Sequence, residues 1–234
     1  MRELFLWLLL FGIAVTPTNL RANETITPDV SPTQALENLK VGNKRFVDGK
    51  PQHAVADTNK RKELASGRHS STVVLSCSDS PVPPELVFDK GLGELFNVSV
   101  EGNVLGAATV ASIEYAIEHL DAKLVVILGH ESCDAVKAAI STPMGKSAGS
   151  PDLDSLISTL KPGLRDVRRD LASDDKMLRR PVMANIDAVG SRLLLRSRIV
   201  RNRVKEGKLA VVYGIYGQDS GLVDFWHAEG LEPK

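Results

Sequence analysis

Two runs of apolar residues, Thr72-Val-Val-Leu-Ser76 and Leu124-Val-Val-Ile-Leu-Gly129, pass without a spacer into pairs of metal-ligand side chains. The first run meets Cys77-Ser-Asp79 and the second meets His130-Glu-Ser-Cys133. Short runs rich in Val, Ile and Leu read as strands buried on both faces, the pattern of a parallel sheet covered by helices. In open sheets of this kind ligands collect just beyond the carboxyl ends of the strands. The pattern predicts an α/β fold with a mainly parallel β-sheet flanked by helices, and it sends both ligand pairs to one crevice.

Cys77 and Cys133 are the only two cysteines of the chain, and the residues alone leave two readings of them. One is a disulfide, which an oxidising compartment would allow. The other is a tetrahedral zinc site, because Cys77, Asp79, His130 and Cys133 supply donors of the types that Zn2+ takes at roughly 2.0–2.3 Å.

The start of the chain bears on the compartment. Arg2 and Glu3 precede an unbroken apolar run over residues 4–15, followed by a polar stretch and Leu20-Arg-Ala22. That order reads as a secretory signal peptide over residues 1–22, and it predicts a secreted or periplasmic protein. The run is shorter than the roughly 20 apolar residues that span a bilayer, so no stable membrane insertion is expected after leader removal. An uncleaved hydrophobic anchor is the alternative reading.

Residues 23–234 suit a single α/β domain with a sizeable core. The chain carries 29 basic and 29 acidic residues, so no overall field favours nucleic acid or an anionic membrane. Arginines do gather over residues 165–180 and 192–203, but acidic residues are interspersed in the first group and the second has the spacing of a solvated helix face.

Helical signals flank the predicted strands. Ser31-Pro32-Thr33-Gln34 can cap a first helix and complete a capping box, and Leu36, Leu39 and Phe46 follow on one face. Val110, Ile113, Ile117 and Leu120 predict a helix over residues 106–120, linking a strand at 95–100 to one at 124–128 in a β-α-β unit. A helix beginning near Cys133 carries Val136 and Ile140 inward. A long helix is expected over residues 181–205, with Val182, Ile186, Val189 and Leu193 as its stripe, and a last strand over 209–213. Residues 143–151 read as a loop, and 152–170 as helical with a break at Pro162-Gly163. Gly102, Gly129 and Gly214 are expected at strand ends where the backbone turns tightly.

With the ligand pairs placed, the chain resembles the β-class carbonic anhydrases. The resemblance is carried by Cys77-Ser-Asp79-Ser, Val82-Pro-Pro-Glu-Leu-Val-Phe-Asp-Lys-Gly91, Gly102-Asn103, Ser112-Ile-Glu-Tyr115 and Gly129-His-Glu-Ser-Cys-Asp-Ala-Val-Lys-Ala138. Blocks at Ala35-Leu36, Gly42-Asn-Lys-Arg-Phe46, Leu209-Ala-Val-Val-Tyr-Gly214 and Gly221-Leu-Val-Asp-Phe225 extend it over nearly everything after the leader. The resemblance implies a zinc enzyme that interconverts carbon dioxide and bicarbonate, with Cys77, His130 and Cys133 on the metal. It implies a homodimer or higher homo-oligomer in which an N-terminal helical arm packs onto a second subunit. Asp79 is then catalytic when it is off the metal, accepting a hydrogen bond from the water readied there, and a metal ligand when it closes the site.

One position departs from the family pattern. The family motif is Cys-x-Asp-x-Arg, and its arginine, which draws the aspartate off the metal, is replaced here by Pro81. Proline offers neither charge nor a donor. Three outcomes are open: another cation such as Lys90 or a partner's arginine takes over, Asp79 closes the site and leaves a non-catalytic zinc protein, or the pocket serves a related substrate such as carbonyl sulfide or carbon disulfide. His53, His69, His119 and His227 have no metal spacing, and Glu101, before Gly102-Asn103, reads as an ordinary carboxylate at a strand end, with a place near the cleft as the alternative.

Overall fold

The computed structural model describes residues 30–52, 58–67, 70–79, 81–167 and 178–231. The expected leader, His53 and His69 lie outside them. A five-stranded sheet is built from β1 (Thr72–Ser76), β2 (Leu95–Ser99), β3 (Leu124–His130), β4 (Ala210–Tyr216) and β5 (Val223–Glu229). Its order is β2-β1-β3-β4-β5, with the first four strands parallel and β5 antiparallel at the edge. From β1 the chain moves outward to edge strand β2, then crosses back over β1 to enter β3 and continue to the other side. The strand order thus reverses between β1 and β3, and a crevice opens beyond their carboxyl ends. Cys77 follows β1 directly and His130 ends β3.

The apolar runs are buried throughout, as a two-sided parallel sheet requires. Alternate residues feed two cores. Val73, Leu75, Val125, Ile127, Val211 and Ile215 face one cluster, while Val74, Val126, Leu128 and Val212 face the other. The first is covered by α4 (Ala107–His119), α5 (Asp134–Ser141), α6 (Pro151–Leu160), α7 (Arg179–Arg196) and α8 (Arg198–Lys205). The second is covered by α1 (Pro32–Val47) and the single turn α3 (Pro84–Val87), whereas α2 (Thr58–Ser66) buries none of its residues.

Helix α1 starts as its sequence predicts, with Ser31 Oγ accepting from Gln34 N–H at 3.1 Å. The reciprocal half of the box does not form, and Gln34 Nε2 instead donates forward to Asn38 Oδ1. Leu36 and Leu39 are buried on the helix's own sheet, and Asn43 bolts it down by donating to the carbonyls of Val87 and Gly221.

Several boundaries differ from expectation for identifiable reasons. The long helix is two: Ser197 turns extended, caps α8 by accepting from Val200 N–H, and donates its hydroxyl to Glu114. The last parallel strand runs three residues further than predicted, because β5 pairs along it with a bulge at Tyr213/Gly214. Gly129 and Gly214 lie within strands rather than at turns, and their bare faces admit neighbours. A Cβ on Gly129 would come within 2.5 Å of Ile186 Cδ1, and one on Gly214 within 2.9 Å of Phe225 Cε1. Helix α6 ends at Leu160 and continues as a 3-10 turn over Lys161–Leu164, which places the expected break at Pro162-Gly163.

Candidate metal centre

Cys77, His130 and Cys133 converge at the crevice with their ligand atoms all within 4.8 Å of one another. They are almost completely buried, at 1%, 0% and 2% exposure, and both cysteines are free thiols. The local folding that joins them is short. After His130, the N–H of Glu131 donates to Tyr216 O and adds one more rung to the ladder between β3 and β4. Ser132 then adopts a left-handed conformation, with φ 58°, which turns the chain so that Cys133 faces back to the crevice at the start of α5.

The 3-10 turn over Glu101–Asn103 forms the facing wall. Gly102 has φ 64°, which glycine adopts without cost, and its N–H donates to Cys77 Sγ at 3.4 Å. Asn103 is buried, and its amide donates to Leu75 O at 2.9 Å and Leu128 O at 2.7 Å. One side chain therefore ties the carboxyl ends of β1 and β3 together below the ligands. Asn185 of α7 ties the turn itself by donating to Gly102 O.

The His130 ring is fixed at one end and unpaired at the other. Nδ1 lies 2.9 Å from Glu131 O, to which it donates, and Nε2 is a buried nitrogen with no hydrogen-bond partner among the described residues. Buried polar atoms without partners are rare and call for an explanation, of which an ion is one. Two soft thiol donors beside a bare imidazole nitrogen suit a tetrahedral zinc ion.

The charges respond to one another. The Cys77 thiol is shifted toward the thiolate: Cys133 beside it lowers its pKa most, His130 and the N–H groups of Gly102 and Asp79 add to that, and burial opposes them. Cys133 is pushed the other way by the same contact with Cys77 and by burial. Burial works against an imidazolium at His130, but the neighbouring Cys77 sulfur, the Glu131 carbonyl and Asp79 outweigh it and lift the pKa. Protons held at such a site leave when a metal takes their place.

Asp79 is set beside this group. Its Oδ2 is 3.7 Å from His130 Nε2 and its side chain is 36% exposed, at the mouth. The N–H of Val82 donates to Asp79 O, closing a turn with exposed Pro81 inside it. Among the described residues no lysine or arginine pairs with Asp79. Lys90, a candidate substitute, is 3.7 Å from Glu94. His119 packs at a tilt against Tyr115, and His227 contacts Glu229 and Tyr213, so neither belongs to the centre. Glu101 does belong to it, against expectation: its Oε2 accepts from Ser78 Oγ at 3.0 Å and lies 3.6 Å from Cys77 Sγ. Its adjacency to Gly102-Asn103 was the available signal, and only the fold shows that the turn faces Cys77.

Residues 72–223 match the carbonic anhydrase family. Carbonic anhydrase 2 of Mycobacterium tuberculosis is 36% identical over 195 residues, which cover 83% of this chain and 92% of that protein. The chain belongs to the β-carbonic anhydrase family. Solved β-carbonic anhydrases share its fold. The Coccomyxa enzyme in complex with acetazolamide is 26% identical with a TM-score of 0.65, over 81% of this chain and 85% of that one. A tetrameric β-carbonic anhydrase from Sordaria macrospora, 22% identical, also has a TM-score of 0.65, over 82% and 94%. The carbonic anhydrase class of the relatives makes this chain a lyase by family, and the buried Cys-His-Cys group is the part of it that can bind metal.

Proposed function

We propose that the protein is an exported, zinc-dependent carbonic anhydrase that catalyses the reversible hydration of carbon dioxide to bicarbonate and a proton. The observation that carries the reading is the unpartnered, fully buried Nε2 of His130 facing two buried thiols. Cys77, His130 and Cys133 would hold the zinc, which when bound supplies a Lewis acid able to ready water as hydroxide near neutral pH.

The chain's own residues then set the reactivity. Two sulfurs give the centre more negative charge than imidazoles would, and N–H groups of Gly102 and Asp79 temper the charge on Cys77. Asp79 is the gate. At the mouth it can either complete the ligand set or stand off and accept a hydrogen bond from the attacking water, and with Pro81 in place no arginine among the described residues draws it off. With zinc bound, Asp79 would close the site at neutral pH and yield it at alkaline pH. That same feature supports a second reading, a zinc protein of this fold with little or no turnover.

Export rests on the leader at residues 1–22; no described helix is long and apolar enough to cross a membrane. A homodimer or higher homo-oligomer is supported by exposed Val41 and Val47 of α1, Leu86 of α3 and Leu222 before β5, with Val47 close to Gly221. Stopped-flow hydration of carbon dioxide across pH, on protein of measured zinc content, tests the reading. Full-length zinc protein without turnover at any pH would favour the second reading, and native protein with a Cys77–Cys133 disulfide and no metal would defeat both.

A further inference from the structure

Three constraints meet on Glu131, the residue between the histidine and the left-handed turn. Its N–H is held by Tyr216 O at 3.0 Å. Its carbonyl receives the Nδ1–H of His130 at 2.9 Å. Its carboxylate, only 13% exposed, accepts from Arg179 Nη1 at 2.7 Å, while Arg179 Nη2 donates to Asp224. Arg179 is the first residue of α7, which packs on β3 and β4, and Asp224 lies on β5. The guanidinium thus joins a helix, the end of the ligand-bearing strand and the sheet edge in one planar fork.

The direction of a peptide carbonyl is set by the torsions on either side of it. Glu131 O is free to rotate only as far as its N–H rung, its side-chain anchor and the Ser132 turn permit. We propose that Arg179 is a positioning residue for the metal centre: by clamping Glu131 it holds the carbonyl that orients the His130 ring, so that Nε2 faces the two thiols. The Gln218 amide, 3.2 Å from the same Nδ1, gives that proton a second neighbour. The two ends of an amide are interchangeable, and with its oxygen toward the ring Gln218 accepts alongside Glu131 O. An exposed ion pair is ordinarily worth little; this one is placed where its geometry reaches a ligand through one peptide unit.

The inference rests on the zinc reading above, and the test separates the two. Zinc content and affinity, the latter by chelator competition, are measured on native protein and on Arg179→Ala, Arg179→Lys and Arg203→Ala, with the visible ligand-field absorption of the cobalt-substituted forms. Arg203 of α8, as exposed as Arg179, pairs with the more exposed Glu118 of α4 and serves as the control for losing a surface pair. Arg179→Ala should weaken zinc binding by about 10–100-fold, the usual effect of removing a partner behind a ligand, and change the cobalt bands. Arg179→Lys should recover much of the affinity, and Arg203→Ala should leave affinity and spectrum as native. If Arg179→Ala does not fold, Glu131→Gln gives the same readouts with a smaller loss. Native affinity and an unchanged spectrum in the variant measured, or equal losses in Arg179→Ala and Arg203→Ala, would overturn the positioning role. A native protein that takes up neither zinc nor cobalt would instead fail the zinc reading, and this inference with it.

Discussion

The two strand ends that meet at the crevice are held in different ways. The His130 end is fixed by its neighbours: the ladder with β4 continues past it, Nδ1 is engaged, Glu131 is anchored to α7, and α5 begins at once after Cys133. The Cys77 end leads into a partly exposed loop, with Ser78 exposed, Asp79 at the mouth and Pro81 on the surface. One half is a rigid receptor and the other is adjustable. Groups that must hold a ligand in one geometry belong on the first, and groups that decide whether the site is open belong on the second. Pro81, where the resemblance implies an arginine, thus falls on the adjustable half, while the buried side chains of Cys77, His130 and Cys133 still converge.

The largest test of the rigid half is His130→Ala. It removes a proposed zinc ligand from the fixed side and leaves two thiols, so zinc should fall from the expected one per chain to near none by elemental analysis. Metal binding is coupled to folding, so the melting temperature should fall by more than in the metal-free native protein alone. Cys77→Ala should also abolish zinc, but with a smaller loss in the metal-free state, because the loop it anchors is half open already. Equal losses in the metal-free forms would erase the distinction between the halves.

Asn103→Ala attacks the tie between them. It leaves the carbonyls of Leu75 and Leu128 buried without that donor, which should cost about 2–4 kcal/mol by urea denaturation. The zinc affinity should fall with it, since the two ligand-bearing ends are then free to move apart. A loss below about 1 kcal/mol would mean that the strands alone hold the register.

Pro81→Arg restores the family residue on the adjustable half. An arginine that pairs with Asp79 would draw it from the centre, and hydration near neutral pH should rise about tenfold, equivalent to about 1.4 kcal/mol in the barrier. The native protein should show low activity at neutral pH that climbs toward alkaline pH. Native turnover at full family rates near neutrality, with no gain from the substitution, would show that another group holds Asp79 off.

The sequence was legible where the chemistry is local. Strands β1 and β3, the N-cap and stripe of α1, helix α4 and the candidate ligands Cys77, His130 and Cys133 follow from patterns within a few residues of one another, and the structure brings those three side chains together. Helix α2, the short α3 and edge strand β5 were not seen. Strand β5 has only partly buried and exposed residues and exists because β4 offers it an open edge. The split at Ser197 depends on a partner, Glu114, that lies 83 positions away. Arg179 was missed for the same reason, and Glu101 was given the strand-end reading over the cleft, since each acts across the fold. Gly102 was expected as a turn residue, but its role in directing an N–H at Cys77 appears only once the turn is seen to face the crevice.

Glu101→Gln should have the smallest effect, and it reads the adjustable half directly. Burial raises the pKa of this carboxyl above its usual value, and the charges of Cys77 and Asp79 raise it further, against the hydrogen bond from Ser78. A carboxyl whose folded pKa is raised favours the folded state when protonated. That stabilisation is fully present below the unfolded value of about 4.3 and is lost as pH rises through the folded one. In metal-free protein, urea midpoints measured upward from about pH 4 should therefore fall more steeply for the native chain than for Glu101→Gln, whose amide does not titrate. The amide should also leave Ser78 a partner and relieve repulsion at Cys77, so the variant should be the more stable of the two near neutrality. Parallel pH profiles would show that Glu101 faces solvent freely, and that the crevice wall on the Cys77 side is looser still than its hydrogen bonds describe.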